Sequence, residues 1–312
     1  MKLEVIRLKK EYKDCIAIKD LSFSLETGEI AGFIGPNGSG KTTTMKMITN
    51  IETCTDGDIR IDGISILEHP ELIRNHIGYV PDSIPSIKDM TVHEYLDFFT
   101  SAYGFKTPER QRITKDLEEF TNLATIKWKT INTLSKGMKQ RISIARALIN
   151  DPDFVLMDEP AAGLDPKARL ELKNMLLFLK KQGKGILISS HILSELSEMC
   201  TSTIIIEKGV LLKSGKIDNV VHEVEKTHNP VFQIKTLDTP NEKVIKIISL
   251  NPMVDKITVN GNTIEFEYSG SEKQVGELVK KLLSEGIHLL SFGFKKEDLE
   301  SAFMRITKGE IQ

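Results

Sequence analysis

Gly35-Pro36-Asn37-Gly38-Ser39-Gly40-Lys41-Thr42 is the stretch whose reading decides the fold. It fits the pattern G-x-x-x-x-G-K-[ST] at every fixed position. It follows a short apolar run of strand type, Ile30-Ala31-Gly32-Phe33-Ile34, and opens a stretch of helical character from Lys41 to Asn50. Glycines let successive backbone N–H groups curl around phosphate oxygens, and the helix start turns its positive dipole end toward them. In such a loop Lys41 reaches the outer phosphates and Thr42 offers its hydroxyl to a magnesium ion.

Working outward, Phe154-Val155-Leu156-Met157-Asp158-Glu159 is a second strand, with a carboxylate pair at its C-terminal end. That end is where open α/β sheets bind their ligands. Asp158 is placed to enter a magnesium shell, and Glu159 to polarise an attacking water as general base. Further strands are expected at Gly185–Ser189 and in a hairpin over 58–66, with Asp62-Gly63 at its turn. A helix is expected over 167–182, and the pattern from about 91 to 150 is mostly helical. The expected architecture for residues 1–220 is an α/β phosphate-loop core with a helical subdomain at about 91–150.

After Lys216 the texture changes. Asp218–Pro230 is polar, shows no clear apolar period and is expected to be a linker. Then the pattern reads strand, helix, strand, turn at Asn260-Gly261, strand, helix, strand. The order β-α-β-β-α-β predicts a small α+β domain of ferredoxin-like, split βαβ type over 221–312, closed by an amphipathic helix at 299–306. It carries no glycine-rich loop and no Cys/His cluster, which suits a regulatory or dimer-forming addition.

Composition bounds the partners. The 312 residues suit about two domains. With 42 Lys and Arg against 44 Asp and Glu, net charge −2, there is no polybasic stripe, and nucleic acid is not expected as a partner. The start, Met1-Lys2-Leu3-Glu4, lacks the apolar stretch of a secretory signal, and no run approaches the roughly 20 apolar residues of a membrane span. Three scattered cysteines, Cys15, Cys54 and Cys200, argue against a disulfide framework and for a reducing compartment.

Leu134-Ser135-Lys136-Gly137-Met138-Lys139-Gln140-Arg141 identifies the family. On its own it is a serine-capped helix start in which Gly137 permits close backbone approach. Lying shortly before Asp158-Glu159, it resembles the signature sequence of ATP-binding cassette (ABC) ATPases, usually Leu-Ser-Gly-Gly-Gln, from which Lys136 and Met138 depart. Ala162-Gly163-Leu164-Asp165 looks like the D-loop of that family. His191, after Ser189-Ser190, resembles its switch histidine, and Tyr12 matches the aromatic that stacks on adenine. Asp82, after Ile77-Gly78-Tyr79-Val80-Pro81, stands where most members carry glutamine. Glu297–Met304 looks like the closing segment of exporter-type subunits.

The resemblance implies ATP and Mg²⁺ as cofactors. The nucleotide would meet Tyr12, the loop from Gly35, Pro36, Asn37, Gly38, Ser39 and Gly40 through Lys41, Thr42 and Thr43, and Ser135, Gly137 and Asp165. The implied catalytic set is Glu159, His191, Lys41 and Asp82, and the implied metal ligands are Thr42, Asp158 and Asp82. It implies an ATP-hydrolysing transporter subunit at the cytoplasmic face of the membrane. Its partners would be a permease on a separate chain and a second cassette, arranged head to tail. The segment from Ser83 to about Phe105 should border the groove for the permease, although most of its apolar residues (Ile84, Ile87, Met90, Tyr95, Phe98, Phe99) read as core. Two other readings stay open: a cassette ATPase acting on ribosomes or DNA, and a different phosphate-loop enzyme such as a small-molecule kinase.

Overall fold

The computed structural model describes residues 1–83, 89–192, 196, 198–227, 229–237, 240–295 and 299–307. They pack as two units, Met1–Ile217 and Asp218–Gln312. The division falls at Ile217 rather than at 220.

The first unit opens with an antiparallel hairpin, β1 (Lys2–Glu11) and β2 (Ile16–Glu26), followed by β3 (Ile30–Ile34), the phosphate loop and α1 (Lys41–Ile48). The 58–66 hairpin forms as β4 (Asp56–Ile61) and β5 (Ile64–Ser65). Asp62 and Gly63 between them have φ of 47° and 82°, the two left-handed positions that a type I′ turn requires. Then come α2 (Glu71–His76), β6 (Ile77–Val80), α3 (Val92–Ala102), α4 (Glu109–Phe120), α5 (Lys136–Ala147), β7 (Phe154–Asp158), α6 (Pro166–Lys181), β8 (Gly185–Ser190), β9 (Ser202–Glu207) and β10 (Val210–Lys216).

All ten strands join one sheet, in the order β5-β4-β1-β2-β10-β9-β3-β8-β7-β6. The run β9-β3-β8-β7-β6 is parallel throughout. Every residue of β3, β7 and β8 is buried. Strands covered on both faces can be apolar without alternation, which is why these segments read as continuous apolar runs. The core gathers Leu3, Leu21, Phe33, Met45, Phe154, Leu156 and Leu187.

The helical subdomain of α3, α4 and α5 is held by local devices. Thr91 and Glu94 form a capping box at the start of α3. Trp128, the single tryptophan, lies in the turn between α4 and α5; its ring centroid is 4.9 Å from that of His93, and it is 66% exposed.

α7 (Ile217–Thr227) begins at the last residue of the first unit and takes most of the segment expected to be a linker. Ile217, Val220, Val221 and Val224 recur at i, i+3, i+4 and i+7, and so form one narrow apolar stripe in an otherwise polar stretch. Val220 and Val224 are buried. Next follow β11 (Val231–Thr236), α8 (Asn241–Ile248), β12 (Val254–Asn260), β13 (Thr263–Tyr268), α9 (Glu272–Ser284), β14 (Leu289–Phe294) and α10 (Leu299–Thr307). The antiparallel sheet runs β12-β13-β11-β14, so β13 lies between the two strands joined by α8, the split βαβ arrangement. Its core gathers Ile234, Val244, Ile248, Phe266, Tyr268 and Leu282. Glu297 and Asp298 of the closing segment lie outside the described residues.

Burying a carboxylate in the α7 stripe should cost stability, whereas a true linker would tolerate it. Val224→Asp is expected to lower the unfolding free energy by roughly 1–3 kcal/mol. Asn219→Asp, on the exposed side of the same helix, should leave it within about 0.5 kcal/mol. Denaturant unfolding of the whole chain measures both, and slow amide exchange over 220–224 reports the helix itself.

Candidate active site

Four strand ends meet along one edge of the parallel sheet. β3 runs into the phosphate loop, β7 ends at Asp158 before Glu159, β8 ends at Ser190 before His191, and β6 leads through Pro81 to Asp82. This is the carboxyl edge at which parallel sheets take their ligands.

The glycines of the loop answer to tight space. A Cβ on Gly35 would stand 2.3 Å from the Ile206 carbonyl oxygen. One on Gly40, whose φ is 107°, would stand 2.2 Å from Ile18 Cδ1. The loop is closed on itself by the Ser39 N–H donating to the Pro36 carbonyl (3.1 Å). Helix α1 has no side-chain cap and no acidic residue in its first turn, so its N–H groups are left for an anion. Ser39 Oγ is buried without a hydrogen-bond partner, a further polar group waiting for one. Pro36, Asn37, Gly38 and Thr42 are exposed, and Gly40 and Thr43 half-buried.

Lys41 is 6% exposed. Its Nζ donates to the carbonyls of Gly35 (2.7 Å) and Pro36 (3.3 Å) and lies 3.9 Å from Glu159 Oε1. Burial pulls its pKa below 10.5, against the opposing pull of Glu159 and Asp158. A phosphate chain would give this cation the counter-charge that burial denies it.

The carboxylates are held from β8. Asp158 is buried, and its Oδ1 accepts from Ser189 Oγ at 2.6 Å. Glu159 has φ of 48°, unusual outside glycine; its N–H donates to Ser189 Oγ (2.9 Å), and its Oε2 is 2.9 Å from His191 Nδ1. Lys41, Asp158, Glu159 and His191 thus come together as the sequence predicts. Asp82 is exposed. It belongs to the same field, because the Tyr79 hydroxyl is pushed up to about 12 by burial first and then by the charges of Asp158 and Asp82.

Tyr12 follows β1 in the turn to β2, where its N–H donates to the Cys15 carbonyl (2.8 Å). Its ring is 45% exposed and carries the Lys10 ammonium 4.9 Å from its centroid. An exposed aromatic ring is what a base needs for stacking.

Ser135, Gly137 and Asp165 make a second group. Ser135 caps α5, accepting from the Met138 N–H (3.3 Å), and Asp165 caps α6, accepting from the Ala168 N–H (2.8 Å). A Cβ on Gly137 would stand 3.3 Å from that of Ala168, so the two helix starts touch there. Among the described residues no hydrogen bond or ion pair joins this group to the phosphate loop.

For a magnesium ion the donors offered are the Thr42 hydroxyl, Asp158 and Asp82. Among the described residues no cluster of three or more His, Cys, Asp or Glu could hold a metal unaided. One hydroxyl with one or two carboxylates fits an ion that keeps waters and takes phosphate oxygens, so the residues suit Mg²⁺ arriving with a nucleotide.

The sequence did not single out Ser189 as a partner of the carboxylates, nor, beyond the 83–105 segment, the walls of a groove of about 580 Å³ between the core and the helical subdomain. That groove is lined by Ile73, Arg74, Tyr79, Phe99, Tyr103 and Arg146 among others. Arg146 Nη1 donates to the Tyr95 hydroxyl (3.2 Å) and lies over the Phe99 ring. Of the apolar residues expected mostly as core, Tyr95 is buried, Met90 and Phe99 are half-buried, and Phe98 is 56% exposed. Ile84 and Ile87 lie outside the described residues.

Comparison with known proteins gives the family. Residues 18–162 match the family model for ABC transporters. The chain is 31% identical over 310 residues to the Nod factor export ATP-binding protein I of Rhizobium sp. (strain N33), covering 99% of this chain and 98% of that protein. It is 30% identical over 307 residues to the linearmycin resistance ATP-binding protein LnrL of Bacillus subtilis (strain 168), covering 98% of each. Among solved structures, an ATP-binding subunit of an ABC transporter superposes with a TM-score of 0.65 at 32% identity, covering 72% of this chain and 93% of that one. Aligned with such relatives over nearly its whole length, the chain belongs to the ATP-binding subunits of ABC transporters and is an ATPase of that family.

Proposed function

We propose that this chain is the motor of an exporter. It would work at the cytoplasmic face of the membrane on a permease carried by a separate chain, paired head to tail with a second cassette that is a copy of itself or a paralogue. The observation that carries the pairing is the split of the site. The phosphate loop, Asp158, Glu159 and His191 stand together, while among the described residues no hydrogen bond or ion pair joins Ser135, Gly137 or Asp165 to the phosphate loop. A second cassette brings its own Ser135 group to the phosphates of the first. Export is favoured by the two relatives, one described as an export protein and the other as a resistance protein. Among the described residues no helix is long and apolar enough to cross a membrane, and the groove beside Tyr79 and Phe99 is where a permease helix would seat.

Each residue then has a task. The loop from Gly35 to Thr43 and Ser39 Oγ receive the phosphates, Lys41 neutralises the outer two, and Tyr12 stacks on adenine. Thr42 and Asp158, with Asp82 nearby, would hold Mg²⁺, which when bound would offset the charge of the phosphates. Glu159 takes the proton of the attacking water as its oxygen bonds to the γ-phosphorus, and the bond from that phosphorus to the β–γ bridging oxygen breaks. His191 orients the Glu159 carboxylate. Loss of the shared phosphate charge lets the pair open, and the groove passes that motion to the permease.

Five outcomes test this reading. Glu159→Gln should suppress turnover by about 10²–10⁴-fold and retain an ATP-bound dimer in gel filtration; hydrolysis at the parental rate would remove Glu159 from the role of base. Lys41→Met should abolish the rise in thermal stability that nucleotide gives the parent, about 2.7 kcal/mol at a hundred times Kd. Between its lowered pKa and 10.5 the folded chain binds fewer protons at Lys41 than the unfolded chain, so the cost of burying it fades as pH rises through that window. Lys41→Met should therefore flatten that part of the stability–pH curve. Asp82→Gln should leave Mg²⁺-ATP affinity within about threefold, and a loss above about tenfold would make Asp82 a direct ligand. Purification of the full chain from membranes should recover a multi-span protein; recovery of ribosomes instead would sink the transporter reading.

A further inference from the structure

Ser189 has no task in the scheme above, and its geometry gives it one. We infer that Ser189 is a positioning residue for hydrolysis, a buried hydroxyl that ties the metal-side carboxylate of Asp158 and the backbone of Glu159 into one rigid piece.

The parallel register of β7 and β8 sets Ser189 abreast of Asp158. Its side chain is wholly buried, and Asp158 beside it is 2% exposed. The two bonds it makes have a fixed direction. A backbone N–H can only donate, so the Glu159 N–H gives to Ser189 Oγ at 2.9 Å, and the Ser189 hydroxyl in turn donates a hydrogen bond to Asp158 Oδ1 at 2.6 Å. The short bond to a carboxylate is of the strong, charge-assisted kind. It leaves the rest of the carboxylate aimed by its anchor rather than free to rotate.

The second bond matters for Glu159. With φ at 48° its backbone occupies a region that non-glycine residues enter only when the surroundings hold them there. Ser189 supplies that hold on the N–H, and His191, two residues further along the same chain, supplies it on the carboxylate at 2.9 Å. One strand end therefore fixes the base at both ends and the metal-side acid at one oxygen. The neighbouring hydroxyl does not duplicate this work, because Ser190 Oγ accepts from the Ile192 N–H at 2.9 Å. None of these contacts touches the phosphate loop, so removing them should disturb the chemical step and the metal-dependent part of binding while leaving the metal-free grip on nucleotide alone.

The inference rests on Glu159 as base and Asp158 as metal ligand, and the experiment separates its failure from theirs. On the full-length chain, Ser189→Ala, Ser189→Cys and Ser189→Thr are compared with Glu159→Gln. Alanine deletes the hydroxyl. Cysteine keeps the volume with a poor hydrogen-bonding group, and threonine keeps the hydroxyl. Expected for alanine and cysteine is a kcat lowered by about 10–100-fold, the scale seen when partners of metal ligands are removed, with KM for ATP changed by less than about threefold. Threonine should recover most of the rate. The second readout does not use turnover: fluorescent ADP analogue binding is titrated in excess EDTA and then in Mg²⁺. Affinity in EDTA should match the parent in all three variants, while the gain on adding Mg²⁺ should shrink for alanine and cysteine. The idea is overturned if kcat and the Mg²⁺ gain of the cysteine variant stay within about twofold of the parent. It is overturned equally if affinity falls by the same factor with and without Mg²⁺, which is a general structural defect. Should the alanine variant not fold, the cysteine variant alone decides. Should Glu159→Gln retain parental turnover, the base assignment fails and the Mg²⁺ titration still judges Ser189.

Discussion

A lysine ammonium kept out of water at the mouth of a parallel sheet is the constraint on which the first unit depends. Lys41 is 6% exposed, its charge opposed by desolvation. It is tolerated because backbone carbonyls of Gly35 and Pro36 and the Glu159 carboxylate surround it. Those carbonyls are available only because the loop turns back on itself, and the loop can do so only with glycine at Gly35 and Gly40, where a side chain would strike Ile206 or Ile18. The carboxylates reach the same point because β7 and β8 lie abreast in the sheet. Apolar strands, tight glycines and buried charge are thus one requirement met by three kinds of residue.

Much of this was legible in the chain itself. Continuous apolar runs at 30–34, 154–157 and 185–189 marked buried strands, and the fixed spacing of Gly35, Gly40, Lys41 and Thr42 marked the loop. Where sequence reading fell short, the cause was physical. The stripe of α7 holds only Ile217, Val220, Val221 and Val224 among polar neighbours, too few to stand out from a linker. Ser189 escaped because pairing across a parallel sheet joins residues 31 positions apart, and nothing in either strand alone declares the register. Most apolar residues of the 84–99 stretch were expected in the core, yet Phe98 is exposed while Tyr95, about one turn earlier on α3, is buried. Periodicity gives the stripe; it does not say which flank a neighbouring element covers.

The two clusters of functional residues answer to different demands. The phosphate loop and its carboxylates are buried or braced by short bonds, as groups must be that hold charge in place during a reaction. Ser135 and Asp165 sit at helix starts, and Gly137 between them lets α5 and α6 approach closely. Helix starts on a shared surface are suited to meeting something presented from outside. The division of labour within the chain, one rigid pocket and one presenting surface, is what the proposed pairing requires.

The placement of Trp128 has a spectroscopic consequence. It is the single indole of the chain, set in the helical subdomain against His93 and largely open to water. The aromatic proposed to stack on adenine is a tyrosine. Intrinsic emission excited at the red edge therefore comes from the helical subdomain alone, with no contribution from Tyr12. A change in that signal when nucleotide is added reports that the event at the phosphate loop has reached the subdomain, so the protein carries a site-specific optical probe of its own inter-element communication without any label.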